Sequence, residues 1–301
     1  MEAVETDIAA LLKGHQTWLV DAARGKQADF SDTTLPDSDF RPGPWNRGLF
    51  DRAALIDSNF SECSLVAASL IQVRLDGSTL TGADLSEANL SEARLSSIWA
   101  TGVMLCDAIL SRAELKDAKL DQARLLDSVL DEADLARASL KGAAFNHARA
   151  LRANFSECNA EHSIWLNARF PGSRFVGASL VEAQFVNVQA QGCDFTKADL
   201  ALSLFTRSKL NRANFYQSNV AGGDFREADL ESADFGKARL VEARFRGTNL
   251  TGADLRGANL EGARDMTPDQ LARARTDDKT TLPNGKKGPY LRFSGAERPS
   301  R

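Results

Sequence analysis

Residues 83–92 read ADLSEANLSE, which is two copies of a five-residue unit with leucine at the third place. We call this third place the centre of the unit. A centre recurs in the same phase at every fifth position from Phe30 to Leu260, and 40 of these 47 centres are Leu or Phe. The exceptions are Trp45, Ala100, Ala150, Ala160, Trp165, Ala190 and Val220. One uninterrupted phase of this length predicts a repeat architecture rather than an ordinary globular domain.

Each unit keeps a fixed order of side-chain types. A small residue stands two places before the centre (the small position), and a residue that is usually polar stands one place before it (the outward position). Two mostly polar residues follow the centre (the first and second turn positions). The small residue and the centre are two apart, so both point to the same side of an extended segment. The next two residues must then turn the chain, which predicts an all-β solenoid of stacked coils around a shared apolar core.

The spacing of the phenylalanines predicts the number of units in one coil. Phenylalanine recurs every 20 residues in two series offset by 10, at positions 155, 175, 195, 215 and 235 and at positions 185, 205, 225 and 245. Rings that stack from coil to coil would give this spacing in a four-sided coil of 20 residues, with the two series on opposite sides. At four units per coil the 47 centres predict about 12 coils, stacked roughly 4.8 Å apart.

Short helices are predicted to cover both ends of the solenoid, because open end coils need caps. Thr6 is a candidate N-cap for the first helix, in residues 6–23. The apolar stripe that follows it has helical spacing and comprises Ile8, Leu11, Leu12, His15, Leu19 and Ala22. At the other end residues 267–270 read TPDQ, the start of a helix with a capping box, and Leu271 and Ala274 can then cover the last coil.

The sequence thus divides into a helical cap in residues 1–27, the repeat array in residues 28–262, and a capping helix with a tail in residues 263–301. The tail is predicted to be a short strap followed by disordered residues, since it has little apolar content. Prolines 36, 42 and 44 cluster in the first coil. Proline is confined to sheet edges and turns, so we expect this coil to be poorly paired.

Few residues are suited to catalysis or to metal binding. Cys63, Cys158 and Cys193 occupy small positions and are predicted to be buried, whereas Cys106 is predicted to lie outside as a free thiol, which is typical of a reducing compartment. His147 and His162 fall at different corners of the predicted coil, too far apart for one metal ion. No carboxylate pair, phosphate loop or activated nucleophile is recognisable. We therefore expect no enzyme activity, no cofactor and no metal.

The charge pattern argues against direct binding of nucleic acid. The chain carries a net charge of −4, and its longest apolar runs are far too short to span a membrane. Residues 28–135 carry −10, residues 136–262 carry +3, and the residues after 262 carry +4. Lysines and arginines interrupt the acidic first half, so we expect a mixed, solvated surface and a cytoplasmic location.

One side of the predicted coil collects outward apolar residues. This side carries the centres 65, 85, 105, 125, 145, 165, 185 and 205, and we call it the apolar side. A contiguous apolar patch on a soluble protein suggests an interface, although a chance cluster would look the same. The candidate interface residues are Val66, Trp99, Met104, Cys106, Leu126, Ile164, Leu166, Val186 and Leu204.

The units resemble the consensus A(D/N)LXX of pentapeptide-repeat proteins, most closely at residues 83–87, 88–92 and 253–257. The resemblance spans residues 28–262 and implies a right-handed quadrilateral β-helix. The flanks are similar to family elements as well, with an H-x-x-W-L leader at His15 and a T-P-x-Q-L closing segment at Thr267. The family implies no single function, since proteins with one fold do unrelated things.

Three functions remain open from the sequence. The favoured one is a non-catalytic, rigid protein-interaction module, a scaffold or adaptor of bacterial type, whose partner is another protein or a second copy of the chain. The first alternative, implied by the family, is a DNA mimic that inhibits DNA gyrase, as quinolone-resistance members do. The unbroken phase leaves no room for the long loops of gyrase-binding members, which counts against it. The second alternative is an adaptor or effector of a secretion system.

Overall fold

Each five-residue unit closes with a tight turn after its centre. The centre's carbonyl accepts a hydrogen bond from the N–H of the next small residue, as between Leu80 O and Ala83 N at 3.0 Å. The second turn position has a positive φ, +60° at Glu87 and +58° at Glu92, as in a type II turn. A positive φ costs a non-glycine residue about 1–2 kcal/mol of conformational free energy. Hydrogen bonds to the next coil help to offset this cost, such as that from Glu87 N to Cys106 O at 2.8 Å.

Parallel bridges join outward residues to the outward residue 20 positions further on, from Asp29 to Ser139 and again from Ala144 to Arg264. Asp29 pairs with Leu49 in this way, and Thr34 pairs with Ala54. The N–H of a centre points to the following coil, as from Phe30 N to Leu49 O, whereas the N–H of an outward residue points to the preceding coil, as from Leu49 N to Ala28 O. The 20-residue, four-sided coil predicted from the sequence is therefore present in this computed structural model, which describes residues 7–41 and 43–299.

The solenoid core consists of the centres and the small positions. Among the described centres from Phe30 to Leu260, Leu35 alone is only half-buried, and the others are buried. The phenylalanines stack as predicted: Phe195 and Phe215 lie 4.9 Å apart and nearly parallel, and Phe195 meets Phe205 of the opposite ladder edge-on at 5.9 Å. Stacked and edge-on rings are the favoured geometries of aromatic pairs.

The chain forms two compact units, Met1–Ser139 and Leu140–Arg301. The first unit holds helix α1, Ile8–Val20, and the coils that begin near Ala28. The second unit holds further coils of the same register, with bridges from Ala144 onward, and helix α2, Pro268–Arg273. None of the described helices is long and apolar enough to cross a membrane.

Helix α1 covers part of the first coil. Its N-cap is Asp7, whose carboxylate accepts from Ala10 N at 3.0 Å, and Thr6, the predicted cap, lies outside the described residues. His15 is the buried residue of α1, whereas Leu19, predicted to face the core, is exposed. Leu35, a centre of the first coil, is half-buried.

The first coil is better paired than its prolines suggest, so the prediction of poor pairing is wrong. Its outward residues bridge to the second coil on all four sides, and Pro44 bridges to Ser64. Pro36 stands at a first turn position, which suits its fixed φ. The missing N–H of Pro44 would point to a preceding coil that the array does not have. Pro42 lies outside the described residues.

Helix α2 and the strap after it close the last coils. Thr267 and Gln270 form the predicted capping box, and Leu271 is buried, as predicted. The chain then re-enters the array, where Thr281 bridges to Asn259. The predicted ordered strap is present, and it extends further than expected, because Ala296 and Glu297 near the end of the described residues are buried.

Candidate interaction surface

The candidate residues of the first unit occupy outward and first turn positions. Trp99 is 58% exposed and bridges Thr79 and Lys119 of the neighbouring coils, one side before the apolar side. Met104 follows on the apolar side itself, where it is half-buried. Val66, Cys106 and Leu126 are also half-buried, at first turn positions. Their partial burial comes from stacking on the adjacent coils, so Trp99 is the strongly exposed apolar side chain of this set.

Sequence reasoning missed Ile109 in the first unit. This residue is 39% exposed and bridges Asn89 and Val129, on the side that follows the apolar side. Trp99, Met104 and Ile109 therefore lie at successive outward positions of one coil, on three of its sides. The five-residue phase could have identified Ile109, since this residue occupies an outward position next to the centre Leu110.

The candidate residues of the second unit share one side. Ile164 and Leu204 each bridge to Gln184 in the coil between them. Leu166 and Val186 occupy first turn positions at one corner of the same side, where they are half-buried. Leu204 is 36% exposed. These residues span three successive coils on a single side, so the structure brings together all four candidates of this unit.

Leu202 joins this side at its other corner, although the sequence did not single it out. It is 53% exposed and adopts φ +60° at a second turn position. A branched apolar side chain is unusual there and costs about 1 kcal/mol or more in backbone strain. A Cβ at Gly222, one coil further on, would come within 2.6 Å of Leu202 Cδ2, so this glycine makes room for the leucine.

Polar pairs frame the apolar side of the second unit at both corners. His162 and Glu182 lie 3.4 Å apart at one corner, in the column that Leu202 continues. At the other corner Asn187 Nδ2 donates to Asn167 Oδ1 at 2.6 Å, and an ion pair of 3.0 Å joins Arg207 and Glu227. An apolar centre with a polar rim is the common anatomy of a protein–protein interface.

The cysteines and histidines provide no reactive centre among the described residues. Burial raises the pKa of the Cys158 and Cys193 thiols to about 12, so they remain protonated at neutral pH. Cys63 is buried as well, as predicted, and Cys106 is half-buried rather than fully exposed. No group of three or more potential metal ligands is present in residues 7–41 and 43–299.

Comparison with known families finds matches along the coils. A model for pentapeptide repeats matches residues 50–87, 58–97, 88–125, 108–146 and 224–262, and a model for a pentapeptide repeat region matches residues 138–215. No curated protein matches the chain.

Two solved structures illustrate the similarity. HetL is a pentapeptide repeat protein involved in heterocyst differentiation regulation from the cyanobacterium Nostoc. HetL is 27% identical to the present protein. The match covers 89% of the present protein and 97% of HetL, with a TM-score of 0.37. QnrB1, a plasmid-mediated fluoroquinolone resistance protein, has 16% identity over 74% and 92%, with a TM-score of 0.25. The family models match the very residues that form the stacked coils, and we conclude that the chain belongs to the pentapeptide-repeat family.

Proposed function

We propose that the protein is a non-catalytic protein-interaction module that binds its partner through the apolar side of the second unit. The observation that carries this proposal is the exposure of Leu202 and Leu204 beside a core that is already filled. The centres and small positions of these coils are buried, so the fold gains little from outward leucines. Leu202 also keeps a strained backbone that a glycine would relieve.

The partner is another protein or a second copy of the chain. The polar pairs at both corners would form the rim of the contact, and the leucines its dry centre. Trp99 of the first unit is a further anchor of the type that dominates binding energy when a partner covers it. A scaffold or adaptor role in a bacterial cytoplasm is the corresponding biological setting.

We expect the double variant Leu166→Asp plus Leu204→Asp to lose binding and to remain folded. Both residues point outward, so two carboxylates there remain hydrated in the free protein but would be buried at low dielectric in the complex. Self-association would be measured by analytical ultracentrifugation. Partner capture would be measured by pull-down with mass spectrometry, and the melting temperature would be followed by circular dichroism.

The matched control is Gln189→Asp plus Gln191→Asp, which places the same two charges at an outward and a first turn position on a neighbouring side. The variant Leu202→Gly adds a second check, because it removes the leucine and relieves its positive φ. It should keep or raise the melting temperature while weakening association. If the Leu166/Leu204 variant binds as well as its control, the apolar side is ordinary surface.

A further inference from the structure

His15 is completely buried between α1 and the first coil. Its ring stacks between two indoles, with ring centroids 5.4 Å from Trp18 in α1 and 6.1 Å from Trp45 in the first coil. Its exposed fraction is 0%. An imidazole is seldom buried so fully, and here it is the buried residue of α1. The docking of the cap therefore centres on one titratable side chain.

The hydrogen bonds of His15 fix its charge state. Nδ1 accepts from the backbone N–H of Ala28 at 3.0 Å. An amide can only donate, so Nδ1 carries no proton, the ring is neutral, and its single proton is on Nε2. Nε2 is buried and makes no hydrogen bond of good geometry, although the Asn46 backbone carbonyl lies beside the ring. Only the neutral tautomer fits this site.

No opposite charge is available in the described structure to stabilise an imidazolium at this position. The charged residues that adjoin this contact in the sequence, in α1, the segment after it and the first coil, include Lys13, Lys26, Asp29 and Arg47, and all four are exposed. Asp21 pairs with Arg24. A proton added to His15 would therefore bring an uncompensated charge into the contact.

We propose that His15 is a pH-sensitive latch, and that protonation of its imidazole releases α1 from the first coil. A proton on Nδ1 would turn the acceptor of the Ala28 hydrogen bond into a second donor that faces the amide. Burial lowers the pKa of His15 below its usual 6.5, and the Asn46 carbonyl beside the ring opposes this in part. Attraction between an imidazolium and the two indoles also opposes release. This attraction replaces neither the hydrogen bond from Ala28 nor the hydration that a buried imidazolium lacks.

The sign of the pH dependence follows from the lowered pKa. The released helix binds a proton more tightly than the docked one, so docking is fully stable above pH 6.5 and weakens as the pH falls below it. The other contacts that hold α1 in place are modest. Leu11 and Leu12 are only half-buried, and the segment after α1 donates a backbone hydrogen bond from Lys26 N to Gly14 O at 3.1 Å and a side-chain bond from Gln27 Nε2 to Arg47 O at 2.6 Å. Release would uncover Trp45 and the amide of Ala28.

The test is hydrogen exchange of the full chain, followed by mass spectrometry from pH 7.5 to pH 5.0 and corrected for intrinsic exchange rates. Protection of residues 8–20 should fall about tenfold between pH 7 and pH 5, while the coils around Leu115 stay protected. In His15→Gln the amide oxygen can still accept from Ala28, but the side chain cannot titrate, so the pH dependence should disappear. His147→Gln, which changes an exposed histidine of the second unit that is not among the proposed interface residues, should behave as the parent does.

Two results would overturn the latch. One is protection of α1 that stays constant down to pH 5 in the parent chain. The other is a His15 pKa at or above 6.5, measured in the parent from the imidazole proton shifts by NMR. The second measurement needs no variant, so it decides the question even if His15→Gln fails to dock.

Discussion

Ala100 is the centre in the first unit that lacks a bulky side chain. Leucines precede and follow it in its ladder, at Leu80 and Leu120, and a narrow apolar void remains beside it. The small positions on either side of Ala100 hold Ile98 and Val103, where Ala or Ser is usual. Both residues line the void and are buried. Their extra methyl groups occupy much of the space that a leucine at position 100 would fill, so the volume of the coil is conserved.

We therefore expect Ile98 and Ala100 to be energetically coupled. Ile98→Ala should lower the free energy of unfolding by about 2–5 kcal/mol through the cavity it leaves. Ala100→Leu should cost about 1–3 kcal/mol by overpacking. The double variant restores the usual unit and should cost clearly less than the sum of the two, with a coupling of about 1 kcal/mol or more in urea unfolding. Strictly additive costs would show that the two side chains do not share this space.

The sequence predicts which side chains point inward but not the backbone of each corner. The centres, the small positions and the stacked phenylalanines follow from the five-residue phase and are confirmed. The positive φ at second turn positions is only partly visible in residue types: glycine occupies many of them, such as Gly82 and Gly252, but Glu, Asp, Arg and even Leu202 occupy others. The sequence therefore did not identify Leu202 as an interface residue. The exposure of Leu35 was also unpredictable, since it depends on where α1 docks.

At the scale of elements, Gln270 connects α2 to the array. Its Oε1 accepts from Thr267 N at 2.7 Å within the capping box. Its Nε2 donates to Phe245 O at 2.7 Å and to Thr248 O at 2.9 Å, two carbonyls of a late coil. One side chain thus begins the helix and donates to the Thr248 carbonyl, whose counterparts in earlier coils accept from an outward N–H of the next coil, as Ala28 O does from Leu49 N.

Gln270→Ala should therefore destabilise the end of the array more than Thr267→Ala does. Loss of the threonine cap costs about 1 kcal/mol. Loss of the glutamine removes the reciprocal capping bond and the donor to Thr248 O, while Phe245 O keeps its turn hydrogen bond from Thr248 N at 3.2 Å, so the total cost should be about 2–3 kcal/mol. Hydrogen exchange of residues 250–262 would report this local loss, with Asp269→Ala on the exposed face of α2 as the control. Equal effects of Thr267→Ala and Gln270→Ala would contradict the bridging role of Gln270.

At the scale of the whole molecule, the charge density is too low for DNA mimicry. Residues 28–135 carry −10, which is about two net negative charges per coil of 20 residues. DNA carries about three charges over the same rise of roughly 4.8 Å. The acidic residues are also distributed over four sides, and cations pair with them between coils, as Arg112 does with Glu92 and Arg137 with Asp117.

We accordingly expect the purified protein to leave DNA gyrase active in a supercoiling assay across the micromolar range. The physical reason is that the longest column of stacked carboxylates among the described residues of the first unit, Glu87, Asp107 and Asp127, spans only three coils. Inhibition that is abolished by Glu87→Lys or Asp107→Lys, but not by Lys119→Glu on another side, would establish mimicry instead.

The core of this solenoid repeats every five residues, whereas its outside repeats every twenty. The inward and outward patterns therefore have different repeat lengths. Loss of one unit between Val186 and Leu202 would leave every later centre facing inward, yet it would carry Leu204 a quarter of a turn away from Ile164. Folding would tolerate such a change in length, but the residues of the apolar side would no longer lie on one side of the coil. Only the gain or loss of whole coils preserves both patterns. Folding therefore allows the array to change length in steps of five residues, whereas the apolar side allows changes only in steps of twenty.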